Sequence, residues 1–529
     1  MRRRTAAGFA AGVALASRVA GQACNTTTLQ NDVPASGGPN VTLKSFSYCG
    51  GTLNTSAYIA NLDYDKAVTI YYTNAQGKST PLSSVGLGYD SSVANNYELW
   101  TSSTPVWIDG ITQLLNITYQ ATDIGETYSQ QLGQKVIASG GPAPSLPSPP
   151  KPYATPLGFQ NDITTWLAVA SGSQLERSVT KMFVNINPNV TGAVEGVVVA
   201  GRSGPTFASK DPDYEYDWVR DSSLTYDVVQ MLYSASTKAK AISQYENVLF
   251  KYATARATEQ NDPSMVQRKA LVMGVKFAKK MNDSQTASTL QSAADALSST
   301  MSPVLHDKPS YLDAAVPLGL IHGYAGDNVY SWTNDQIQST IVRFATSFID
   351  VYPIFNKTQK DSSGRVLGIP TGRYPEDIYN GTGTQQNGGN PWYLTTAALA
   401  QYFWASSQQY TSAGEIQVTN TSKDFFDYFA PSANVTVGTT CKQNSKKFNA
   451  VIDSLNGWGD AFMRTVKYYT PSDGSLAEEY NRNTGAPQGC VDLTWSYASV
   501  LTAAFQRAQV RKQTKYVENL ANLGYTENS

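Results

Sequence analysis

The hydrophobic period of this chain changes once. Between residues 35 and 135, apolar and polar positions alternate in short runs. Val68-Thr69-Ile70-Tyr71-Tyr72-Thr73 ends on the turn signal Asn74-Ala75-Gln76-Gly77, and Tyr97-Glu98-Leu99-Trp100-Thr101 and Leu115-Asn116-Ile117-Thr118-Tyr119 are similar runs. Several such β-branched and aromatic runs within about 100 residues predict a β-sandwich. After residue 157 the apolar positions recur at helical spacing, as in Leu175, Val179, Met182, Phe183 and Ile186, in Ile341, Phe344, Phe348 and Val351, and in Val500, Leu501, Ala504 and Phe505. That spacing lines one helix face, and it predicts roughly nine or ten helices in an all-α domain over 157–512. Residues 138–156, ASGGPAPSLPSPPKPYATP, are too rich in Pro, Ser and Gly for a helix or inner strand and read as a semi-rigid linker. The fold class is multidomain, with 513–529 left as a C-terminal tail.

Composition narrows the class of partner. The 529 residues carry a net charge of −1, which gives no reason to expect nucleic acid or an anionic membrane. Charged residues are 15%, while Tyr numbers 32 and Gly 40, a balance suited to handling neutral polymers outside the cell. Arg2-Arg3-Arg4 precede a modest apolar run over 6–16, and the small residues Ala20, Gly21 and Ala23 follow. This is the pattern of a secretory signal peptide over 1–22, too short to span a bilayer. Ten N-x-[ST] sequons follow, at Asn25, Asn40, Asn54, Asn116, Asn189, Asn282, Asn356, Asn380, Asn420 and Asn434, and point to an extracellular glycoprotein. Pairing Cys24 with Cys49 and Cys441 with Cys490 keeps each bridge within one domain and is the pairing expected of three. His306 and His322 are too few for a metal cluster or a Ser-His triad, so both read as structural, and no cofactor or metal is implied.

Two segments carry chemistry. Pro212-Asp213-Tyr214-Glu215-Tyr216-Asp217-Trp218-Val219-Arg220-Asp221 crowds aromatic rings, a guanidinium and carboxylates ahead of an apolar helix. Rings stack on sugar C–H faces, and Arg and Asp grip hydroxyls through charge-assisted hydrogen bonds. The second segment holds Glu478-Glu479 after a Ser-Asp-Gly turn. Read from the residues alone, that pair is more often a solvated surface pair, and Asp221-Ser222 more simply caps a helix.

Five ordered pieces tip the balance: PDYEYDWVRDS (212–222), TGRYPED (371–377), GGNPWYLTTAALAQ (388–401), GSLAEEYNR (474–482) and DLTWSYA (492–498). With them, residues 157–510 resemble the catalytic domain of fungal glucoamylases, glycoside hydrolase family 15. The resemblance implies an (α/α)₆ barrel with a blind pocket, which releases glucose from the non-reducing ends of α-1,4-glucans with inversion. Inversion uses two carboxyl groups about 6.5–9.5 Å apart, one acid and one base, with a water between. By resemblance Glu478 is the general base, and Tyr214, Trp218, Arg220 and Asp221 line the innermost sugar site. Arg373, Tyr374 and Asp377 match substrate-contacting positions, with a structural ion pair as the alternative. Trp392 and Trp495 match as sugar platforms or as buried aromatic core. Glu479 is not expected to share the work of Glu478, since adjacent side chains diverge.

The family's general acid lies in a Trp-Glu-Glu segment, and no Trp here is followed by Glu. About a hundred family residues lack a counterpart between Ser264 and Met265, and losing general-acid help typically costs about 10²–10⁴-fold in rate. The barrel is thus expected to be incomplete. Two explanations fit: an incomplete gene reading of an ordinary glucoamylase, or a relative that binds glucan without cutting it.

Residues 38–132 resemble a starch-binding module of carbohydrate-binding module family 21. The match rests on Ile59-Ala60-Asn61-Leu62-Asp63-Tyr64-Asp65-Lys66-Ala67-Val68-Thr69-Ile70-Tyr71-Tyr72 and on YELWT (97–101). It implies Tyr64 and Tyr128 as aromatic platforms, although no Trp stands between Tyr72 and Trp100 where the family commonly has one. The expected partners are starch, glycogen or maltooligosaccharides, bound by a secreted monomer.

Overall fold

The computed structural model describes residues 32–49, 52–63, 66–73, 83–105, 111–121, 123–138, 148–186, 195–201, 214–256, 282–300, 312–326, 330–381 and 388–524, together with 269, 272, 275, 278 and 279. The chain divides into two compact units, Met1–Pro147 and Ser148–Ser529.

The first unit is a sheet of seven strands: β1 Val41–Cys49, β2 Thr52–Ala60, β3 Lys66–Thr73, β4 Ser83–Ser92, β5 Tyr97–Pro105, β6 Ile111–Ala121 and β7 Glu126–Ala138. Their order is β1-β2-β5-β4-β3-β6-β7, with every pairing antiparallel. Alternation along β3 buries Val68, Ile70 and Tyr72 on one face, opposite Tyr119, Ile117 and Leu114 of β6. The sandwich expected from this period is realised as one rolled, barrel-like sheet. The first half of β4 pairs with β3 and its second half with β5, with the change at Leu87 and Gly88. Glycine marks tight bends in strands because it has no side chain to pack. The outer strands β1 and β7 meet where the Leu43 amide donates to Gln130 Oε1 at 2.8 Å.

Three helices, Tyr393–Ala413, Lys446–Tyr469 and Thr494–Val510, form the middle of the second unit. Rings pack around them: Phe403 stacks on Phe462 at 5.4 Å, and Trp458 meets Phe429, at the end of the helix Lys423–Phe429, edge-on at 5.2 Å. Two buried ion pairs tie the start of the unit to these helices. Arg507 grips Asp460 at 2.8 and 2.9 Å, Asp460 accepts the Gln160 amide, and Arg464 forks onto Asp162 at 2.8 Å twice. Among the described residues no helix is long and apolar enough to cross a membrane.

Three sequence expectations need correction. The end of the linker belongs to the helical unit: Tyr153 lies 4.8 Å from Phe355 and 5.6 Å from Trp458, and its hydroxyl donates to Leu367 O. One apolar ring in a Pro-rich strip is enough to anchor it. The tail forms a helix, Tyr516–Ala521, whose Leu520 and Ala521 are buried, while Asn522 Oδ1 accepts from Ser236 Oγ and the amides of Thr237 and Lys238. Finally, Cys441 and Cys490 are buried but not joined to each other. Cys441 faces Ile416 in a two-stranded sheet of Glu415–Gln417 and Thr440–Lys442, whereas Cys490 packs in a separate apolar cluster with Trp392 and Leu493. Cys24 and His306 lie outside the described residues.

Candidate functional site

Glu478 is positioned by the chain that leaves the helix Lys446–Tyr469. Asp473 Oδ1 accepts the Ser475 amide and hydroxyl, turning the chain at Gly474. The DLTWSYA piece then holds the loop. Tyr497 OH accepts the Leu476 amide at 3.0 Å, Ser496 Oγ donates to Ala477 O at 2.8 Å, and the Leu493 amide donates to Leu476 O. The Glu478 amide donates to Cys490 O at 2.7 Å. Gly489 faces the carboxylate with φ +74°, and a Cβ there would come within 2.4 Å of Glu478 Oε2.

The strip before the helix Val219–Ala235 comes to the same place. Its backbone runs beside 200–201, with the Ala200 amide donating to Tyr216 O and the Gly201 amide to Tyr214 O, and Ala200 O accepts the Thr494 amide. Tyr214 OH consequently reaches Glu478 Oε1 at 2.8 Å, while Tyr379 OH donates to Oε2 at 3.0 Å. The two phenol oxygens are 2.5 Å apart. Glu478 is 2% exposed. Burial pushes its carboxyl up to about 7, against the pull of the Tyr214 and Tyr379 hydrogen bonds and the Arg373 charge. Burial and the nearby carboxylate raise both phenols above their ordinary value.

Arg373 forks onto Asp377 at 2.7 and 2.8 Å, so the ion-pair alternative for this piece holds. It also serves the site. The guanidinium lies 4.8 Å from the ring centre of Tyr379, 5.3 Å from that of Trp392 and 5.6 Å from that of Tyr374. Asp377 Oδ1 accepts the Tyr379 amide at 3.0 Å. The pair thus fixes the second phenol on Glu478.

Trp218 is exposed just before the helix, its ring 5.5 Å from Tyr214 and 6.0 Å from the exposed Tyr216. Asp221 is buried in the first turn, two residues inside a helix that begins at Val219, so it is not the cap. The side chain of Arg220 lies outside the described residues. Trp392 and Trp495 are both buried, in one cluster with Leu224, Leu394 and Cys490 against which Tyr214 and Tyr379 pack. The surface-pair reading of Glu478-Glu479 fails, because both are buried. As expected, they diverge. Glu479 Oε2 accepts Asn390 Nδ2 at 2.8 Å, and burial, followed by the charge of Glu478, pushes Glu479 up to about 9. His322 is buried 6.4 Å from the Trp495 ring, and burial lowers it to about 3.

Tyr379 and Asn390 escaped the sequence reading. Tyr379 stands two residues past Asp377, and that proximity was the only available signal. In the small unit Tyr64 lies outside the described residues. Tyr128 is half-buried, 5.6 Å from Tyr119, with its hydroxyl donated to Glu126.

Known proteins agree with this architecture. The Glycosyl hydrolases family 15 pattern matches residues 254–505. A glucoamylase of Blastobotrys adeninivorans is 40% identical over 633 aligned positions, covering 97% of this chain and all of that protein. Glucoamylase 1 of Rhizopus oryzae is 26% identical, covering 89% of this chain and 94% of that one. The solved glucoamylase of Saccharomycopsis fibuligera superposes with a TM-score of 0.50 at 23% identity, over 68% of this chain and 98% of its own, and shares the fold. An alignment of 633 positions against 529 residues leaves at least 104 positions (633 less 529) with no residue of this chain. With a relative at this identity matched from end to end across both units, the chain belongs to glycosyl hydrolases family 15 and resembles its glucan 1,4-α-glucosidases.

Proposed function

We propose that this protein acts outside the cell on starch and maltooligosaccharides, removing glucose from non-reducing ends with inversion, and that Glu478 is its general base. The observation that carries the reading is the buried Glu478 carboxylate held by two phenols at 2.8 and 3.0 Å. In this reaction Glu478 takes a proton from water as the water oxygen bonds to the anomeric carbon. The glycosidic C–O bond breaks on the opposite face, and the leaving oxygen needs a proton of its own. Tyr214 and Tyr379 occupy one lone pair on each carboxylate oxygen and leave others for the water.

The unmatched alignment positions support the further reading that the acid-bearing segment is missing and the rate correspondingly low. Residues 257–268, where that segment would join, lie outside the described set. Starch capture is assigned to the small unit, on its sequence resemblance and its rolled antiparallel sheet. Extracellular location rests on the leader pattern and the sequons; Asn54, Asn282, Asn356, Asn420 and Asn434 are exposed, whereas Asn380 is buried.

Proton NMR during maltotetraose cleavage tests the reaction. Newly released β-glucose, lost in Glu478→Gln, supports it, while α-glucose or unchanged turnover in the variant removes Glu478 from the role. Retention on insoluble starch with no glucose at long times favours the non-cutting relative instead.

A further inference from the structure

A pocket of about 200 Å³ lies between the last turns of the helix Thr494–Val510, the helix Asn161–Trp166 with the chain that follows it, and the start of the tail helix Tyr516–Ala521. Helix rise places Arg507 roughly 18 Å beyond Trp495 along the axis, so the pocket stands at the far end of this helix from Glu478. We propose that it binds a small organic carboxylate, with the acid group forked by Arg507 and Arg511 and the carbon body against an apolar wall. This assignment does not depend on the glucan reading.

Charge in this pocket is out of balance. Arg507 is 3% exposed and spends Nε and Nη2 on Asp460, with Nη2 also reaching Gln160 O and Thr164 Oγ1. Its Nη1 makes no hydrogen bond to a described residue, although the side chain borders the pocket. Arg511 gives Nη1 to the same Thr164 hydroxyl at 2.9 Å and has no carboxylate partner among the described residues. Two guanidiniums thus share one carboxylate. Burial, followed by the Arg507 charge, holds Arg511 below its ordinary value. Lys512 and Lys515 come next, with no acidic residue before Glu518. A helix C-terminus favours a nearby cation, which accounts for Arg511 but not for the inner Nη1 of Arg507. Buried polar groups ordinarily find partners, and guanidinium N–H groups match a carboxylate two at a time.

The rest of the lining selects a body for that acid group. Leu167, Val169, Ala504 and Ala508 form an apolar side, which a bare inorganic ion leaves unused. The volume falls below the roughly 300–1,000 Å³ of pockets for drug-sized molecules, so only a ligand of a few heavy atoms fits. The walls are held before any ligand arrives. Tyr516 OH donates to Leu167 O and closes the tail against the first helix, while the Phe159 ring lies 5.0 Å from Arg507 and 5.6 Å from Arg511. Pre-formed walls reduce the ordering cost of binding.

Butyrate is the appropriate probe, with butanol as its neutral counterpart and inorganic phosphate as the bare anion. Hydrogen exchange of the full chain is followed while each is titrated at constant pH and ionic strength. Butyrate is expected to slow exchange in 164–169 and 504–516, saturably and at millimolar concentration, and the other two far less. Arg511→Gln can keep the Thr164 contact but loses the charge, and should weaken butyrate roughly tenfold. Ala168→Glu, at a half-exposed position in the lining, gives the pocket a carboxylate of its own and should abolish the protection. Equal protection by butanol or by phosphate overturns the carboxylate assignment, as does protection unchanged in both variants. No saturable protection by butyrate overturns the site itself.

Discussion

Each oxygen of Glu478 accepts from a different tyrosine, and those two tyrosines come from segments 165 residues apart. Hydrogen bonds to the carboxylate favour its charged form, while burial opposes it. Tyr379→Phe removes one bond and leaves the ring on Arg373, so Glu478 should titrate higher. A base acts only when deprotonated, so activity is expected to rise as pH passes about 7 in the native protein. In Tyr379→Phe that rise should move up by about one pH unit, the scale of a hydrogen bond to a charged group. A profile of kcat/KM against pH measures it, and an unmoved limb would exclude Tyr379 as a positioning residue. Glu479 offers a separate test, through stability. Both carboxyls titrate above their ordinary 4.5 in the folded protein, at about 7 and about 9. The folded state therefore keeps protons that the unfolded chain releases. Stability from this source is full below the unfolded value and is lost as pH rises through the folded ones. Glu479→Gln, which can keep the Asn390 contact, should flatten the fall in Tm between about pH 5 and about pH 9. At this scale the sequence revealed Glu478 only through family likeness. Nothing in a Glu-Glu pair says that both will be buried, and a tyrosine such as Tyr379 carries no charge to mark it.

Among the elements, the inner helices meet so closely that glycine is required between them. Gly459, in Lys446–Tyr469, sits against the Trp404 indole, where a Cβ would approach Nε1 to 2.3 Å. Gly457, two residues earlier on the same helix, would meet the backbone oxygen of Pro156 at 2.3 Å. Replacing a helix-interior glycine by alanine ordinarily stabilises by about 1 kcal/mol. Here Gly459→Ala should destabilise by about 1–3 kcal/mol through overpacking, which thermal unfolding can read directly as a lowered Tm. Gains in Tm would show that Trp404 moves aside freely. The amphipathic helix Asp335–Ser347 was legible, since Ile341 and Phe344 recur on one face and are buried. The helix Tyr393–Ala413 is buried on nearly every side and so has little amphipathic period to read. The rolling of the sheet was also hidden. A period of two identifies strands, yet it does not mark the exchange of partners along β4 or the register shift between Tyr89 and Ser91 that follows it. Six-residue elements such as Tyr516–Ala521 leave too short a pattern to separate from a tail.

For the molecule as a whole, the decisive question is where the leaving oxygen finds its proton. The proposed base, Glu478, has its loop, its two phenols and its Arg373–Asp377 brace in place, while at least 104 positions of the matched alignment have no residue here. An enzyme short of its acid should be selective for substrates that do not need one. A sugar alkoxide is a poor leaving group and must be protonated as the bond breaks. A dinitrophenolate leaves as an anion, so acid assistance contributes little to its departure. Loss of the acid should then lower turnover of maltose by about 10²–10⁴-fold relative to a family member with both carboxyl groups. Turnover of 2,4-dinitrophenyl α-glucoside should fall far less, and Glu478→Gln should abolish what remains. Steady-state kinetics on the two substrates separate the cases. A maltose rate equal to that of the aryl glucoside would mean that a proton donor stands within reach of the leaving oxygen after all. Comparable suppression of both, with starch retention intact, would mean that the assembled base serves a site that only holds glucan.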